Sequence, residues 1–278
     1  MAKVLAGHER RLMRIASVPM AILALSCVYP ILFAANNAFK TDKNYILDRF
    51  GLVKDPTFAN FINAWTRAHL ADYLTNSVIA TAGAVLLLLL FSSLAGYALA
   101  MLRFPARRMI FTLILATMMI PVQVVLVPFY RTMIALDLIN TRIGLIIAYT
   151  AFFLPFCVYM MAAFYSRLPR ELVESARMDG ASHRQIWWNI MLPMGKPALI
   201  TLGILNTLYC WNDVLIALLV LQKERTVMVG IAALRGEYTT NVPLLTAGIV
   251  LAALPIILIY LVFQRRIVDG IAVGAVKG

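Results

Sequence analysis

Long apolar runs without charged side chains dominate the hydrophobic pattern of this chain. A helix needs about 20 apolar residues to cross the ~30 Å hydrocarbon layer of a bilayer. Lipid offers no hydrogen-bonding partners, so a spanning segment must satisfy its backbone groups internally, as a helix does. The pattern therefore predicts an all-α polytopic membrane protein with six transmembrane helices, and the charged Asp213 is expected to lie inside the fifth. Their windows are residues 15–39, 73–102, 109–130, 143–166, 197–222 and 238–264.

The first window has the basic flank of a signal peptide, because Arg10, Arg11 and Arg14 precede it. Its apolar run is longer than the ~7–15 residues of a signal peptide, and no convincing small-residue cleavage site follows. Residues 15–39 are therefore expected to remain as an uncleaved first helix after an N-terminus of residues 1–14.

The basic residues between the windows predict the orientation. One set of loops carries 15 Lys and Arg and five acids, whereas the other carries 10 Lys and Arg and seven acids. Since Lys and Arg are enriched in cytoplasmic loops, both termini are predicted to be cytoplasmic. The cytoplasmic set is residues 1–14, 103–108, 167–196 and 265–278, and the extracytoplasmic set is 40–72, 131–142 and 223–237.

Composition supports the membrane class. The 278 residues are 62% hydrophobic and only 14% charged, with a mean hydropathy of +0.83. Soluble domains average about 45–50% apolar and about 25% charged residues, so a soluble globule and a disordered chain are excluded. Cys27, Cys157 and Cys210 lie inside apolar runs without CxxC spacing, so they are interpreted as packing residues. The net charge of +12 lies mainly between the apolar runs and does not indicate nucleic-acid binding.

The cytoplasmic loop 167–196 carries the most specific pattern. Pro169 suits the first turn of a helix, Glu171 favours its positive end, and Gly180 suits a left-handed stop. Ser182 and Gln185 have the spacing of a capping box. The pattern predicts two short helices joined by a glycine turn, with Pro193 and Pro197 marking the return into the membrane.

This loop resembles the signature of the membrane subunits of bacterial binding-protein-dependent ABC importers. That signature is Glu-Ala-Ala, three residues, Gly, nine residues, then Ile-x-Leu-Pro. Every spacing fits, and Ser175 in place of the middle Ala is the only departure. The matching residues are Glu174, Ser175, Ala176, Gly180, Ile190, Leu192 and Pro193.

Further segments are similar to the maltose-type sugar permeases, so the resemblance covers the chain from about residue 15 to its end. They are Asn76-Ser77, Ala95–Ala100 with Arg103-Phe104-Pro105, Met119–Gln123 with Pro128, Trp211-Asn212-Asp213, Phe263–Arg266 and Gly274–Gly278. The resemblance implies a MetI-like fold in which residues 73–265 form the permease core and 266–278 a cytoplasmic tail.

The resemblance also implies partners: a second, homologous permease subunit, an ABC ATPase dimer and an extracytoplasmic solute-binding protein. The chain has no Gly-x-x-x-x-Gly-Lys-Ser/Thr motif to cradle ATP phosphates. It is therefore expected to be non-catalytic and to bind no cofactor, with ATP and Mg²⁺ in the partner ATPase. The residues expected to couple to that ATPase are Glu171, Glu174, Ser175, Ala176, Asp179, Gly180, Ile190, Leu192 and Pro193.

Polar residues within the windows are candidates for a sugar path. A carboxylate at the centre of a span costs roughly 2.5–3.5 kcal/mol on insertion scales, so Asp213 is expected to face a polar cavity or an interhelical hydrogen bond. Gln123 either lines the path or satisfies backbone freed by nearby prolines. The candidates are Asn76, Gln123, Asn206, Tyr209, Trp211, Asn212 and Asp213.

Three other segments keep two interpretations each. Residues 58–65 have the apolar spacing of an interfacial helix, or they contact a partner. The loop 223–243 faces the binding protein or is simply solvated. The tail 267–278 reaches the ATPase or frays.

Competing functional classes fit less well. An ion-coupled transporter usually carries several intramembrane ionisable groups and often an internal repeat, whereas this chain has Asp213 and no visible repeat. A membrane enzyme would need a cluster of catalytic side chains, and His8, His69 and His183 are scattered. An importer subunit for a non-sugar solute, such as a glycerol phosphodiester, polyamine or peptide, remains the main alternative.

Overall fold

The computed structural model describes the backbone of residues 2–237 and 241–275, and the side chains of residues 17–234 and 241–263. Within these ranges all regular structure is helical, as predicted. The first helices are α1 (Ala2–Ala38), α2 (Asp42–Leu47), α3 (Ala59–Thr66), α4 (Leu70–Met101), α5 (Arg107–Thr117), α6 (Val122–Ala135) and α7 (Arg142–Tyr165). They are followed by α8 (Glu171–Met178), α9 (His183–Ile186), a π-helix (Trp187–Met191), α10 (Leu192–Asn212), α11 (Leu215–Val220), α12 (Val227–Glu237) and α13 (Val242–Ala275).

Four helices of the described chain are long and apolar enough to cross a bilayer. They are the Ser17–Ala38 part of α1, all of α4 and α7, and the Val242–Phe263 part of α13. These helices match the first, second, fourth and sixth predicted windows. The bent pair α5–α6 brings the number to five if it forms one span.

The third window is not one straight helix, contrary to the sequence prediction. α5 and α6 meet at an angle of 100°. Pro121, with φ −59° and ψ 133°, directly precedes α6, and its ring lacks the N–H that a continuous helix would need. A proline also disfavours helical backbone at the residue before it, so the helix breaks here.

The fifth window is likewise interrupted, and the prediction that Asp213 lies inside a helix is wrong. α10 ends at Asn212, Asp213 has extended backbone (φ −70°, ψ 133°), and α11 begins at Leu215. The physical reason is local, because the Asp213 carboxylate accepts hydrogen bonds from the backbone N–H groups of Ile216 (3.4 Å) and Ala217 (2.9 Å). A carboxylate that caps the following helix competes with continuation of the preceding one.

The chain divides into two units, of which the first comprises Met1–Leu70 and Ile231–Ala253. In this unit polar side chains fold the segment after α1 back on itself. Asn36 donates to the carbonyl of Gly51 and accepts from the N–H of Val53, both at 2.9 Å. The buried Lys40 ammonium donates to the carbonyls of Asp48 (2.7 Å) and Gly51 (2.6 Å).

The predicted amphipathic helix after Pro56-Thr57 is present as α3. The side chains of Phe58, Ile62 and Trp65 are exposed, and Phe61 contacts Phe39 with ring centroids 4.9 Å apart. This exposed apolar face agrees with either interpretation of the segment, a bilayer surface or a partner.

The second unit comprises Ala71–Gly230 and Leu254–Gly278 and holds the main apolar core. One cluster joins α4, α7 and α11 around the buried Tyr149. Another joins α4, α7 and α10 to the segment between α7 and α10, around the buried Tyr165, Ile186 and Met191. The cytoplasmic loop predicted from the sequence is therefore packed into the core rather than loosely attached to it.

Candidate functional site

The coupling segment, which is the predicted coupling loop of residues 167–196, contains α8, an amphipathic helix of the second unit. Glu171 and Glu174 lie in its first turn, where carboxylates interact favourably with the helix dipole. Val173 is buried and Ala176 packs against the core, whereas both glutamates are exposed. α8 therefore presents an acidic face outward and an apolar face inward.

A left-handed glycine ends α8, as predicted. Gly180 has φ +82°, a conformation that costs other residues roughly 1–2 kcal/mol. Its N–H donates to the carbonyl of Arg177, and the N–H of Ala181 donates to the carbonyl of Ala176, each at 3.0 Å. These two bonds form a Schellman motif, which turns the chain sharply after the exposed Asp179.

The predicted capping box is also present. The side chain of Ser182 accepts from the N–H of Gln185, and Gln185 Oε1 accepts from the N–H of Ser182 at 2.8 Å. Two hydrogen bonds therefore fix where the second helix begins.

The second predicted helix is present as α9, but it does not end before α10. α9 continues through the π-helix directly into α10, and Pro193 lies in the first turn of α10 without breaking it. Within the wider turn, the N–H of Leu192 donates to the carbonyl of Trp187, five residues earlier. Pro193 cannot donate to the carbonyl four residues before it, and a π-turn accommodates that mismatch without a break.

Hydrogen bonds link the coupling segment to α4 and, through Ser93, to α7, and sequence reasoning did not identify these residues. Trp187 Nε1 donates to Ser93 Oγ at 3.0 Å. The hydroxyls of Ser93 and Tyr165 share a hydrogen bond of 2.9 Å. Tyr97 Oη lies 3.1 Å from His183 Nδ1. These residues come together only in the folded chain, because Ser93 and Trp187 are 94 residues apart in the sequence.

The outward surface of the segment has the composition of a protein-docking site. Met178 is 89% exposed and Trp188 is 61% exposed. Trp188 also lines an open depression, together with Ser182, Arg184, Gln185 and Asn189. Large exposed apolar side chains rimmed by polar groups are typical of interaction surfaces. Of the other predicted coupling residues, Ser175 and Pro193 are exposed, whereas Ile190 and Leu192 are half-buried against the core.

A second group of predicted residues surrounds the break at Asp213. Tyr149, which is fully buried, donates its hydroxyl to Asp213 Oδ2 at 3.2 Å. Tyr209 is 53% exposed and stacks on Phe153, with ring centroids 6.0 Å apart and planes inclined by 25°. Asn212 is exposed and donates to the carbonyl of Leu208. An aromatic face, an amide and a carboxylate are therefore close together along the chain here.

The remaining path candidates lie elsewhere. Asn206 is buried, and its Nδ2 donates to Cys157 Sγ (3.1 Å) and the carbonyl of Leu202 (2.8 Å). Trp211 is buried in the core. Gln123 is exposed in the first turn of α6.

Asn76 forms hydrogen bonds with three other residues. Its Oδ1 accepts from Arg142 Nε at 2.8 Å, and its Nδ2 donates to the carbonyls of Glu224 and Arg225, both at 3.2 Å. Asn140, which sequence reasoning missed, accepts at Oδ1 from the N–H groups of Gln222 (2.9 Å) and Lys223 (3.0 Å). These amides order the beginning of the predicted outer loop 223–243, whose residues 238–240 lie outside the described residues.

Comparisons with known proteins identify the family of this chain. Residues 89–273 match the family described as binding-protein-dependent transport system inner membrane component. The diacetylchitobiose uptake system permease protein of Streptomyces coelicolor is 33% identical, over 100% of this chain and 93% of its own. The arabinooligosaccharides transport system permease protein of Halalkalibacterium halodurans is 37% identical, over 94% and 95%. The melibiose/raffinose/stachyose import permease protein of Bacillus subtilis is 34% identical, over 96% and 97%.

A solved structure shares the fold. A chain from the crystal structure of a bacterial ABC transporter involved in the import of the acidic polysaccharide alginate superposes with a TM-score of 0.80 at 25% identity. The match covers 92% of this chain and 96% of the other. A family match to most of the chain, together with relatives aligned along nearly its whole length, leads to one conclusion. The chain belongs to the family of binding-protein-dependent transport system inner membrane components, which are ABC transporter permeases.

Proposed function

We propose that this chain is one membrane subunit of an ABC importer for a sugar or oligosaccharide. The observation that carries the proposal is the coupling segment, an exposed acidic helix that ends in a Schellman turn and is held against the core. The carbohydrate class is supported by the names of three relatives, which transport diacetylchitobiose, arabinooligosaccharides and melibiose, raffinose or stachyose.

The coupling residues divide into two groups in this proposal. Glu171, Glu174, Ser175 and Asp179 contact a cleft in the partner ATPase, because their side chains are exposed. Gly180 provides the turn that brings this face against the partner. The residues that hold the segment on the permease core are Ala176, Ile190 and Leu192, and Pro193 supports the π-turn.

ATP and Mg²⁺ bind to the partner ATPase dimer, and this chain transmits the motion that follows. Its sequence contains no phosphate-binding Gly-x-x-x-x-Gly-Lys motif. A second permease subunit completes the translocation path, and an extracytoplasmic binding protein delivers the solute to the loop 223–243. The tail 267–278, of which residues 276–278 lie outside the described residues, contacts the ATPase in this proposal.

The topology in this proposal has six crossings and cytoplasmic termini. The bent pair α5–α6 makes the third crossing, and α10 with α11 makes the fifth across the break at Asp213. The excess of basic residues in loops 1–14, 103–108, 167–196 and 265–278 supports this orientation.

The exposed aromatic face of Tyr209 and the amide of Asn212 form the solute-contacting part of the path. Aromatic faces with a few convergent polar groups suit small-molecule sites. Asp213 is interpreted here as a structural residue, because its carboxylate already accepts from Tyr149 and two backbone N–H groups. Asn206, Trp211 and Asn76 are buried and are interpreted as structural supports rather than solute contacts.

A non-sugar solute is the alternative that shares the same architecture. Uptake assays distinguish a sugar importer from a non-sugar importer. Uptake of sugars, glycerol phosphodiesters, polyamines and peptides is measured in cells with and without this chain. An ion-coupled transporter would import without an ATPase.

The test is purification of the tagged chain from its native membrane in mild detergent, with Glu174→Arg and the exposed outer residue Asp55→Arg as matched charge reversals. We expect an ATPase and a second permease to co-purify with the parent chain and with Asp55→Arg, and the ATPase to be lost from Glu174→Arg. Purification of the parent chain alone, without ATP hydrolysis, would contradict the proposal.

A further inference from the structure

Three structural elements meet at the hydroxyl of Ser93. Trp187 in the π-helix donates its indole N–H to Ser93 Oγ at 3.0 Å, and Tyr165 at the end of α7 shares a hydrogen bond of 2.9 Å with the same oxygen. Ser93 and Tyr165 are completely buried, and Trp187 is 7% exposed. One side chain on α4 therefore joins two long apolar helices to the coupling segment.

The adjacent serine shows that this arrangement is not the default for a buried serine. Serine within a helix usually bonds back to a carbonyl of its own helix, and Ser92 does so, to the carbonyl of Leu89. The indole N–H is only a donor, so Ser93 Oγ accepts from Trp187. In the second bond, between Ser93 and Tyr165, either hydroxyl can be the donor. Breaking either bond leaves a buried polar group unsatisfied, which costs more than the net value of the bond itself.

The backbone around Trp187 orients the two tryptophans differently. Trp187, at the start of the π-helix, is buried in the core, while the adjacent Trp188 is exposed. Gly195 in the first turns of α10 packs directly on Tyr165, because an added Cβ there would lie 2.6 Å from the Tyr165 hydroxyl. The hydroxyl thus touches α10 as well as Ser93.

We propose that Ser93 is the joint that makes the coupling segment, α4 and α7 move as one rigid body, with Trp187 and Tyr165 as positioning residues. This inference rests on the proposed function, because the movement is driven by a partner ATPase that contacts α8. Apolar contacts alone resist separation of packed helices but permit sliding, since they are not directional. Directional bonds at one buried point oppose sliding, so displacement of α8 reaches α4 and α7 undiminished.

The experiment measures whether the coupling segment slides against α7 when ATP binds. Spin labels are attached at Arg177→Cys and Met160→Cys, in a chain whose native cysteines are replaced by Cys27→Ala, Cys157→Ala and Cys210→Ala. The labelled chain is purified with its co-purifying partners. The distance between labels is recorded by electron paramagnetic resonance without nucleotide and with Mg²⁺-ATP, alongside the rate of ATP hydrolysis. Ser93→Ala, Trp187→Phe and Tyr165→Phe are compared with Ser92→Ala and Trp188→Phe.

We expect the distance to be the same with and without Mg²⁺-ATP in the parent, Ser92→Ala and Trp188→Phe. In Ser93→Ala, Mg²⁺-ATP should shift it by about 3 Å, the length of two residues of helix, while hydrolysis continues. Trp187→Phe should shift it in the same direction, and adding it to Ser93→Ala should produce no further shift, because both changes remove the same bond.

An invariant distance in Ser93→Ala, or a shift of the same size in the parent, overturns the inference. If Ser93→Ala does not assemble, Tyr165→Phe decides by the same comparison, because it keeps the ring and removes only the hydroxyl. Failure of any ATPase to co-purify with the parent instead contradicts the proposed function, so the two failures are distinguishable.

Discussion

The hydroxyl of Tyr149 donates to the carboxylate of Asp213 at 3.2 Å and thereby joins α7 to the break between α10 and α11. The same carboxylate accepts from the N–H of Ala217 at 2.9 Å, so it also caps α11. A carboxylate within an apolar sequence is thus satisfied by one interhelical and two local bonds. Of the two interpretations open from the sequence, the hydrogen-bonded one accounts for every contact observed at this residue.

Asp213→Ala should destabilise the protein, because it leaves the buried Tyr149 hydroxyl and two backbone N–H groups without an acceptor. The expected cost is ~2–4 kcal/mol, one buried polar group plus one cap. Asp213→Asn retains one oxygen and should cost less than half of that. The stabilities of the parent, Asp213→Asn and Asp213→Ala are compared by thermal denaturation of the purified proteins in detergent. Equal midpoints for Asp213→Ala and the parent would contradict this role.

Gly180→Val should disrupt the turn after α8, because a β-branched residue at φ +82° is strained. Nothing lies within 4 Å of a Cβ built there, so backbone strain and not a clash is the cause. Gly180→Asn, which tolerates this conformation, should retain most of the co-purifying ATPase, whereas Gly180→Val should lose most of it. Gly203→Ala in α10 is the control, and the amount of ATPase recovered per permease is the measurement. Similar recovery from the valine and asparagine variants would argue against a backbone cause.

Asn76→Ala should loosen the beginning of the loop 223–243, because Arg142 and the carbonyls of Glu224 and Arg225 lose their shared partner. We expect trypsin to cleave faster after Lys223 and Arg225, as a local opening that becomes ~1–3 kcal/mol easier predicts. Thr75→Ala is the matched control, since the exposed Thr75 bonds only to the carbonyl of Ala71 in its own helix. Trypsin cleavage of both variants is measured in proteoliposomes, and indistinguishable cleavage rates would contradict this role of Asn76.

Tyr209→Ala should slow solute uptake, because it removes an exposed aromatic face from the proposed path. One aromatic stacking contact contributes about 1 kcal/mol, roughly a fivefold change in rate. Tyr159→Ala provides the control, because Tyr159 is also exposed and stacks in a similar way, on Phe111 at 6.3 Å and 23°. Uptake of the solute identified by the panel is measured at equal ATPase content. Equal uptake by both variants would place Tyr209 outside the path.

The six-crossing topology predicts opposite accessibility for two exposed acids. In cells that lack the partner ATPase, and in a chain without its native cysteines, Asp179→Cys should react with a membrane-impermeant maleimide only in inside-out vesicles. Asp55→Cys should react only in spheroplasts. Labelling of both positions from the same side would contradict the orientation that the basic residues predict.

Elements defined by neighbouring residues were predictable from the sequence. The Ser182–Gln185 capping box, the Gly180 turn and the α3 helix all occur where the local pattern predicts them. Each depends on bonds or periodicity within one or two turns, so the information is contained in a short window. The windows of α4, α7 and α13 were predictable for the same reason, because apolar length alone sets a span.

The breaks and the joints were not predictable in this way. A window average of hydrophobicity does not register a single Pro121 or Asp213, although each redirects backbone hydrogen bonds and interrupts a helix. The loop's second helix likewise merged with α10, because a π-turn absorbed the effect of Pro193.

By itself, the sequence determined the membrane class, the family and the local turns of the coupling segment, since these depend on apolar length and short-range spacing. Only the tertiary structure decided what anchors that segment. Ser93, Tyr165 and Trp187 are ordinary residues in an apolar sequence, and their hydrogen bonds exist because folding brings α4, α7 and the π-helix together. Burial then makes those bonds directional and costly to lose, which no linear pattern records.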